Sequence, residues 1–181
     1  MKNIKHILII AFVAIAAMAC RKAEDPGGTA LQAMCGEWQV YIVEWSSWHN
    51  FDADGPIKLL TSNTAENVNN KMRIAFDDYN FVADCDLGAE TFSVTNSLST
   101  HWIADSAYDS RVTVTNGKIT RGVVAVPSGT FSQDKIEMTV ALGEMRNRIT
   151  EVVRLPAETV TIVGYRRTGF LEDENYVYKG N

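Results

Sequence analysis

The chain has 181 residues, and its 22 Asp and Glu residues outnumber its 17 Lys and Arg residues, which gives a formal net charge of −5 at pH 7. A negative balance argues against nucleic-acid binding, which depends on clustered Lys and Arg side chains. The length fits a single domain that buries one core, and no internal repeat or low-complexity tract divides the sequence.

The first twenty residues are predicted to direct the chain out of the cytoplasm. Lys2 and Lys5 form a short positive segment, and the thirteen residues from Ile7 to Ala19 carry no charge. This apolar run has the length of a signal-peptide core, whereas a transmembrane helix needs about 20 apolar residues. The sequence therefore predicts a signal peptide over residues 1–19.

A lipid-attachment site is predicted directly after this segment. The sequence Ala17-Met18-Ala19-Cys20 resembles a bacterial lipobox, in which the cysteine thiol carries diacylglycerol. Ala17 and Met18 differ from the usual aliphatic and small residues of that pattern. Stable anchoring takes about two acyl chains, which a lipoprotein provides. The alternative is an ordinary secretory signal cut near Ala19, which leaves Cys20 as a thiol.

The residues after Cys20 are predicted to form a tether between the lipid and the folded domain. Residues 21–29 are polar and contain one Pro and two Gly residues, a composition typical of flexible linkers. We therefore expect a lipid-anchored tether over residues 20–35 and a folded domain over residues 36–181. The acidic pair Glu24-Asp25 resembles the stretch that sends some lipoproteins to the outer face of the outer membrane, and the alternative is a tether charged for solubility alone. We expect a lipid-anchored protein of the cell envelope at the outer membrane, on its periplasmic face or at the cell surface.

Cys35 and Cys85 are the two remaining cysteines. They could form a disulfide, because thiols oxidise beyond the inner membrane. Two buried free thiols are the alternative that the sequence leaves open. No C-x-x-C pair and no paired His and Cys spacing occurs, so neither a metal site nor a cofactor is predicted.

Alternating apolar and polar residues predict β-strands from Gly36 onward. Residues 61–70 are polar and rich in Asn, which indicates an ordered loop or a short helix. Residues 77–80 read Asp-Asp-Tyr-Asn and predict a turn, because Asp and Asn side chains can bond to their own backbone. In this half, the first strand is expected over residues 38–43, where Trp38, Val40 and Ile42 alternate with the residues between them. Further strands are expected over 71–77, 81–87 and 91–96.

A hairpin is predicted in the second half of the chain. Asn116-Gly117 lies between the β-rich runs 111–115 and 118–126, and both residues tolerate the positive φ of a two-residue hairpin turn. Residues 97–110 are expected to form a long connection before it. The remaining strands are expected at 135–142 and 159–170.

About eight strands with short turns predict an all-β, antiparallel fold, either a barrel or a sandwich. We favour a single up-and-down barrel of about eight strands, because closure removes exposed sheet edges. A barrel of this size can hold one small ligand in its interior.

The triplet Gly36-Glu37-Trp38 resembles the G-x-W of lipocalins, in which an arginine from the last strand stacks on the tryptophan and closes the barrel floor. Arg166 and Arg167 lie on the last predicted strand, on opposite faces. We expect Arg166 to point inward and to close the barrel on Trp38. Such a cation–π contact contributes about 0.5–2 kcal/mol.

Four segments resemble a family of bacterial lipoproteins described as lipid-binding putative hydrolases. They are Thr61–Ala65, Thr91–Asn96, Asn116–Ile119 and Gly164–Asp173. The resemblance runs from about Gly36 to Glu174. It implies a lipocalin-like β-barrel on a lipid anchor with an apolar ligand, and it supplies no catalytic residue.

The word hydrolase in that description has no matching motif in the sequence. A serine hydrolase of the α/β type would show G-x-S-x-G, which does not occur. His49 and His101 remain after signal removal, and either could act as a general base or simply pack beside its neighbouring tryptophan. A zinc site would need both histidines to converge with a carboxylate such as Asp52 or Asp105.

The sequence predicts a lipid-anchored protein that takes a lipid or other hydrophobic small molecule into its barrel. Six alternating strand residues are candidates for the lining: Trp38, Val40, Ile42, Met72, Ile74 and Phe76. A filled core without a cavity explains the same stripe equally well. Two other functions stay open: an accessory lipoprotein that contacts a protein beside an outer-membrane transporter, and an esterase-like hydrolase that uses a loop histidine.

Overall fold

A computed structural model describes residues 28–45, 56–125 and 132–167. These ranges contain ten β-strands and no α-helix, and so no helix that is long and apolar enough to cross a membrane. The strands are β1 Gly36–Trp45, β2 Ile57–Asn63, β3 Lys71–Phe76, β4 Tyr79–Asp86, β5 Thr91–Ile103, β6 Ser106–Ala125, β7 Ser132–Leu142, β8 Met145–Asn147, β9 Val153–Leu155 and β10 Glu158–Arg166.

Eight of the strands form a closed antiparallel barrel. Neighbours follow the order β5-β4-β3-β2-β1-β10-β7-β6, and the pairing of β5 with β6 joins the two ends of this series. The short strands β8 and β9, which the sequence did not predict, pair with each other and attach to β6 outside the ring. The predicted all-β class and eight-stranded up-and-down barrel are therefore confirmed.

Alternate residues of each strand point into the barrel, because successive side chains of a strand lie on opposite faces. In β3, Met72, Ile74 and Phe76 are buried, whereas Arg73 between them is exposed. Burying one such side chain stabilises the fold by about 1.5–3 kcal/mol. The same pattern in β7 buries Ile136, Met138, Val140 and Leu142.

The chain before β1 packs against one end of the barrel. Residues 30–34 form hydrogen-bonded turns, and Leu31 and Met34 have no exposed surface. The side-chain oxygen of Asn63 accepts a hydrogen bond from the backbone N–H of Leu31 at 3.3 Å. The last part of the predicted tether, 20–35, therefore belongs to the folded unit.

The turn predicted after β3 is confirmed. β3 and β4 are joined through Asp77 and Asp78, with Phe76 opposite Tyr79 in the ladder. Asp77 has a φ of 47°, in the left-handed region that two-residue hairpin turns require. Residues 61–70 contain the end of β2 and an ordered loop, without a helix.

The hairpin predicted at Asn116-Gly117 is wrong. β6 runs through both residues, and its pairing with β7 shifts register between Thr115 and Lys118, which marks a β-bulge. Asn116 does have a positive φ, 54°. Gly117 packs so closely on Phe92 that a Cβ atom would lie 2.3 Å from the Phe92 carbonyl oxygen. The bulge, and not a turn, explains both residue types.

The long connection predicted over residues 97–110 is also wrong. β5 and β6 pair continuously from Ser97 to Ile103 and are joined by a two-residue turn. That turn is Ala104-Asp105, whose φ angles are 46° and 63°. Neither residue has the Asn-Gly chemistry by which such turns are recognised, so the sequence signal was weak.

Gly117→Ala is expected to lower the free energy of unfolding by about 1–3 kcal/mol, the usual cost of extra volume in a packed interior. The control is Gly88→Ala, because the nearest atom to a Cβ there is 3.4 Å away, on the exposed side chain of Asp86. Urea denaturation of both variants and the wild type provides the measurement. Equal midpoints for the two variants would show that the contact with Phe92 is not tight.

Candidate functional site

The six residues predicted to line a ligand site lie on the inner wall of the barrel. Five of them are at most 1% exposed: Trp38, Val40, Met72, Ile74 and Phe76. The sixth, Ile42, is partly buried against the same core. An empty cavity would leave part of the side chains around it accessible to a water-sized molecule. These five side chains have almost no such surface, so the interior is filled at their positions. A ligand can occupy this space only if inner side chains move.

Arg166 lies over Trp38 at the end of the barrel where β1 begins, which we call the Trp38 end. Its guanidinium carbon is 4.7 Å from the tryptophan ring centroid, within range of a cation–π attraction. Trp38 Nε1 donates to Thr61 Oγ1 at 2.9 Å, and that hydroxyl donates to the Met34 carbonyl at 2.7 Å. The tryptophan is thereby tied to the segment that packs under the barrel. β10 ends here at Arg166, and the predicted continuation to residue 170 lies largely outside the described residues.

Two arginines and a shared carboxylate seal the Trp38 end. Asp134 Oδ2 lies 2.7 Å from Arg121 Nη1 and 3.2 Å from Arg166 Nε. Both arginines also donate to the Ala33 carbonyl oxygen, at 2.7 and 2.8 Å, and Arg121 pairs with Glu90 at 2.6 Å. Burial lowers the pKa of Arg166, and the charge of Asp134 opposes that shift. Guanidinium groups nevertheless stay charged in proteins, so the seal persists at ordinary pH.

Cys35 and Cys85, the possible disulfide of the sequence, are free thiols in the structure. Burial raises the pKa of both, so both are protonated near neutral pH. Cys35 Sγ donates to Asn63 Oδ1 at 3.3 Å.

The opposite end of the barrel, which we call the His101 end, contains buried polar side chains. His101 lies in β5 just before the turn to β6, and this turn faces away from the start of β1 because the strands alternate in direction. The ring of Tyr79 packs edge-on against His101, with centroids 4.8 Å apart. Three further polar residues are buried at this end: Ser99, Ser110 and Glu158.

His101 itself is 2% exposed, and neither ring nitrogen makes a hydrogen bond of ordinary geometry to any described group. Burial lowers the pKa of His101, although the charges of Asp78, Asp77 and Asp109 and a contact with the Asp78 backbone oppose that shift. The imidazole is therefore neutral at pH 7, with one donor and one acceptor nitrogen. The sequence missed this environment because it placed His101 in a loop.

The serines on this part of the inner wall are bonded to backbone groups. Ser99 Oγ accepts from the Asn80 N–H at 2.9 Å, and Ser110 Oγ donates to the Gly143 carbonyl at 2.8 Å. A nucleophile and its general base lie within about 2.6–3.2 Å of each other. Neither serine makes such a hydrogen bond to His101.

The other residues considered for chemistry are not brought together with His101. His49 and Asp52 lie outside the described residues, and Asp105 is exposed in the β5–β6 turn. Within the described ranges, no three His, Cys, Asp or Glu side chains are grouped so that they could hold a metal ion.

The barrel wall has its fewest ladder pairs between β4 and β5. Three residue pairs join these strands, at Asp84–Asp86, whereas β7 and β10 share eight. Toward the His101 end the seam is bridged by the hydrogen bond from Asn80 to Ser99. Just before this stretch, β5 has two register shifts against β6, between Phe92 and Ser97, and a φ of 56° at Asn96. A groove of about 500 Å³ lies along this seam, and its lining includes Asn80, Phe81, Val82, Ser97, Leu98 and Thr100.

One comparison relates the chain to a known family. A family model described as "lipid-binding putative hydrolase" matches residues 23–171, a range that includes every described residue. No curated protein matches the chain. The match confirms the family resemblance that the sequence segments indicated.

Arg166→Ala is expected to lower the free energy of unfolding by about 1–3 kcal/mol, because it removes the contact with Trp38 and a cation bound to Asp134. The neighbouring Arg167 provides the control, since it is exposed and pairs with Glu37 at the surface, where an ion pair contributes about 0–1 kcal/mol. Thermal unfolding of Arg166→Ala and Arg167→Ala measures the difference. A loss in Arg167→Ala as large as that in Arg166→Ala would argue against a sealing role for Arg166.

Proposed function

Because the chain belongs to the family described as lipid-binding putative hydrolases, we propose that it binds a lipid or another hydrophobic small molecule inside its barrel. The inner wall carries this proposal, because it is apolar over most of its length and gathers polar side chains at the His101 end. That distribution matches a molecule with a hydrocarbon chain and a polar head. Eight strands enclose a space suited to one small ligand.

Binding requires a conformation in which inner side chains move aside. A ligand that binds such a conformation better than the filled one shifts the population toward it. Each CH₂ group removed from water contributes about 0.8 kcal/mol, so a long hydrocarbon chain can replace the contacts that the core side chains lose. The β4–β5 seam supports this step, because its few strand pairs make it the part of the wall that opens with the smallest loss of backbone hydrogen bonds.

Protein expressed as residues 21–181 is expected to carry a co-purified lipid in native mass spectrometry. The ligand is expected in a stoichiometric amount, because one barrel holds one molecule. Denaturing spray of the same sample is the control and should release the added mass, which organic extraction then identifies. A clean apo mass that persists after incubation with fatty acids and phospholipids would contradict lipid binding and favour the accessory-protein alternative.

We also propose that the protein is anchored in the cell envelope, at the outer membrane, through a lipid on Cys20. The support is the sequence before it: Lys2, Lys5, the uncharged run to Ala19 and the resemblance to a lipobox. An anchored barrel would take its ligand from the membrane to which it is attached.

Cys20→Ala is expected to move the protein from the membrane fraction of a bacterial host to the soluble fraction. The same variant should fail to incorporate labelled fatty acid, because the acylated thiol is gone. Cys35→Ala is the matched control, since Cys35 lies beside the barrel and should leave both properties unchanged. Labelled Cys20→Ala protein would rule out this attachment site.

A further inference from the structure

Neither ring nitrogen of His101 has a hydrogen-bond partner of ordinary geometry among the described residues, although the imidazole contacts the Asp78 backbone. A buried polar group without a partner costs about 1–3 kcal/mol. Native proteins contain few such groups, and each one calls for a physical reason. Phe or Leu would fill the same place next to Tyr79 without that cost. A histidine at this position is explained if a ligand group forms a hydrogen bond with its imidazole.

We propose that His101, together with Tyr79, binds the uncharged, hydroxyl-bearing head of a lipid, and that this end of the barrel rejects a free carboxylate head. The proposal rests on lipid binding inside the barrel and adds the class of head group to it.

The charges at this end disfavour an anion. Four carboxylates add negative charge near this end: Glu158 is buried, Asp109 is half-buried, and Asp77 and Asp78 are exposed in the β3–β4 turn. Arg148 pairs with Asp109 at 2.8 Å and is exposed, on the outer side of the wall. His101 adds no positive charge, since its ring is neutral, and burial followed by the charge of Glu158 raises the pKa of Tyr79 well above its usual value. A carboxylate head would therefore meet like charges without a facing cation.

The hydrogen-bonding capacity of the site suits a hydroxyl group. A neutral imidazole has one donor and one acceptor nitrogen, and a phenol hydroxyl both donates and accepts. An alcohol can bond to either ring nitrogen of His101, because it also donates and accepts. An ether or ester oxygen can only accept, so it leaves the acceptor nitrogen unsatisfied.

The position of the site fits a route through the β4–β5 seam. Asn80 and Ser99 bridge that seam. Asn80 directly follows Tyr79 in β4, and Ser99 lies two residues before His101 in β5. A lipid that parts the strands there brings its head directly to the imidazole. Its chain then extends over the apolar wall toward the Trp38 end.

A competition experiment tests the head-group preference. The full chain is delipidated and loaded with an uncharged, environment-sensitive dye, and three ligands of one chain length compete for it at neutral pH: an alcohol, its methyl ether and the carboxylate. The alcohol is expected to displace the dye at a concentration about tenfold lower than either competitor, the effect of one buried hydrogen bond. A carboxylate that displaces the dye as well as the alcohol does would overturn the proposal.

Two variants separate head binding from chain binding. His101→Phe keeps an aromatic ring against Tyr79 but removes both nitrogens, so the preference for alcohol over ether should fall to within about twofold while the ether still binds. Trp102→Phe is the matched control, because Trp102 is 75% exposed on the outer face of the same strand. An undiminished preference for alcohol over ether in His101→Phe would show that a group other than His101 binds the head of the lipid.

Nitrogen NMR of the wild-type histidines gives a readout that does not depend on the folding of a variant. The chain has three histidines, and the alcohol should shift the ring nitrogens of His101, with His101→Gln providing the assignment. Unchanged His101 signals in the alcohol complex would overturn the head-group proposal alone. Failure of all three ligands to displace the dye would instead refute lipid binding in the barrel.

Discussion

The pairing of β5 with β6 closes the sheet, and this closure limits what the protein can contain. An eight-stranded barrel is just wide enough to be filled by its own side chains or to hold one small ligand. In this structure side chains such as Trp38 and Met72 occupy that space. Ligand and core therefore compete for one volume, so binding and folding stability are coupled. The free energy of binding is therefore the gain from burying the ligand minus the loss of the core contacts that it displaces.

The two ends of the barrel treat polar groups in opposite ways. At the Trp38 end, charged and polar atoms bond to each other and to the carbonyl of Ala33, and Leu31 and Met34 cover the opening. At the His101 end, a buried imidazole is left without hydrogen bonds of ordinary geometry. Hydrogen bonds and ion pairs such as these favour one conformation, although Arg166 Nε faces Asp134 as an ion pair without hydrogen-bond geometry. An imidazole with neither kind of partner raises the free energy of the filled state. The Trp38 end therefore stabilises the fold, whereas at the His101 end a ligand can supply a missing hydrogen bond.

The sequence predicts the parts of this fold that depend on local pattern. The alternation over residues 71–76 and the Asp77-Asp78 turn were predicted because period two and turn chemistry are properties of neighbouring residues. Asn116 shows the limit, since a hairpin turn and a bulge both require positive φ and only the pairing of distant strands separates them. Leu31 and His101 were placed in a tether and a loop because their burial depends on contacts made across the barrel.

The chemistry of the His101 end favours holding a polar head over cleaving it. Ester cleavage needs an activated nucleophile and donors aimed at the oxyanion in addition to a base. The hydroxyls of Ser99 and Ser110 are bonded to backbone groups, and neither contacts the imidazole. A neutral histidine in that setting has one donor and one acceptor nitrogen to offer a polar head. Because the polar groups lie at one end and Trp38 at the other, the proposed ligand has one favoured direction, with its head at the weakly paired seam and its chain toward the sealed floor.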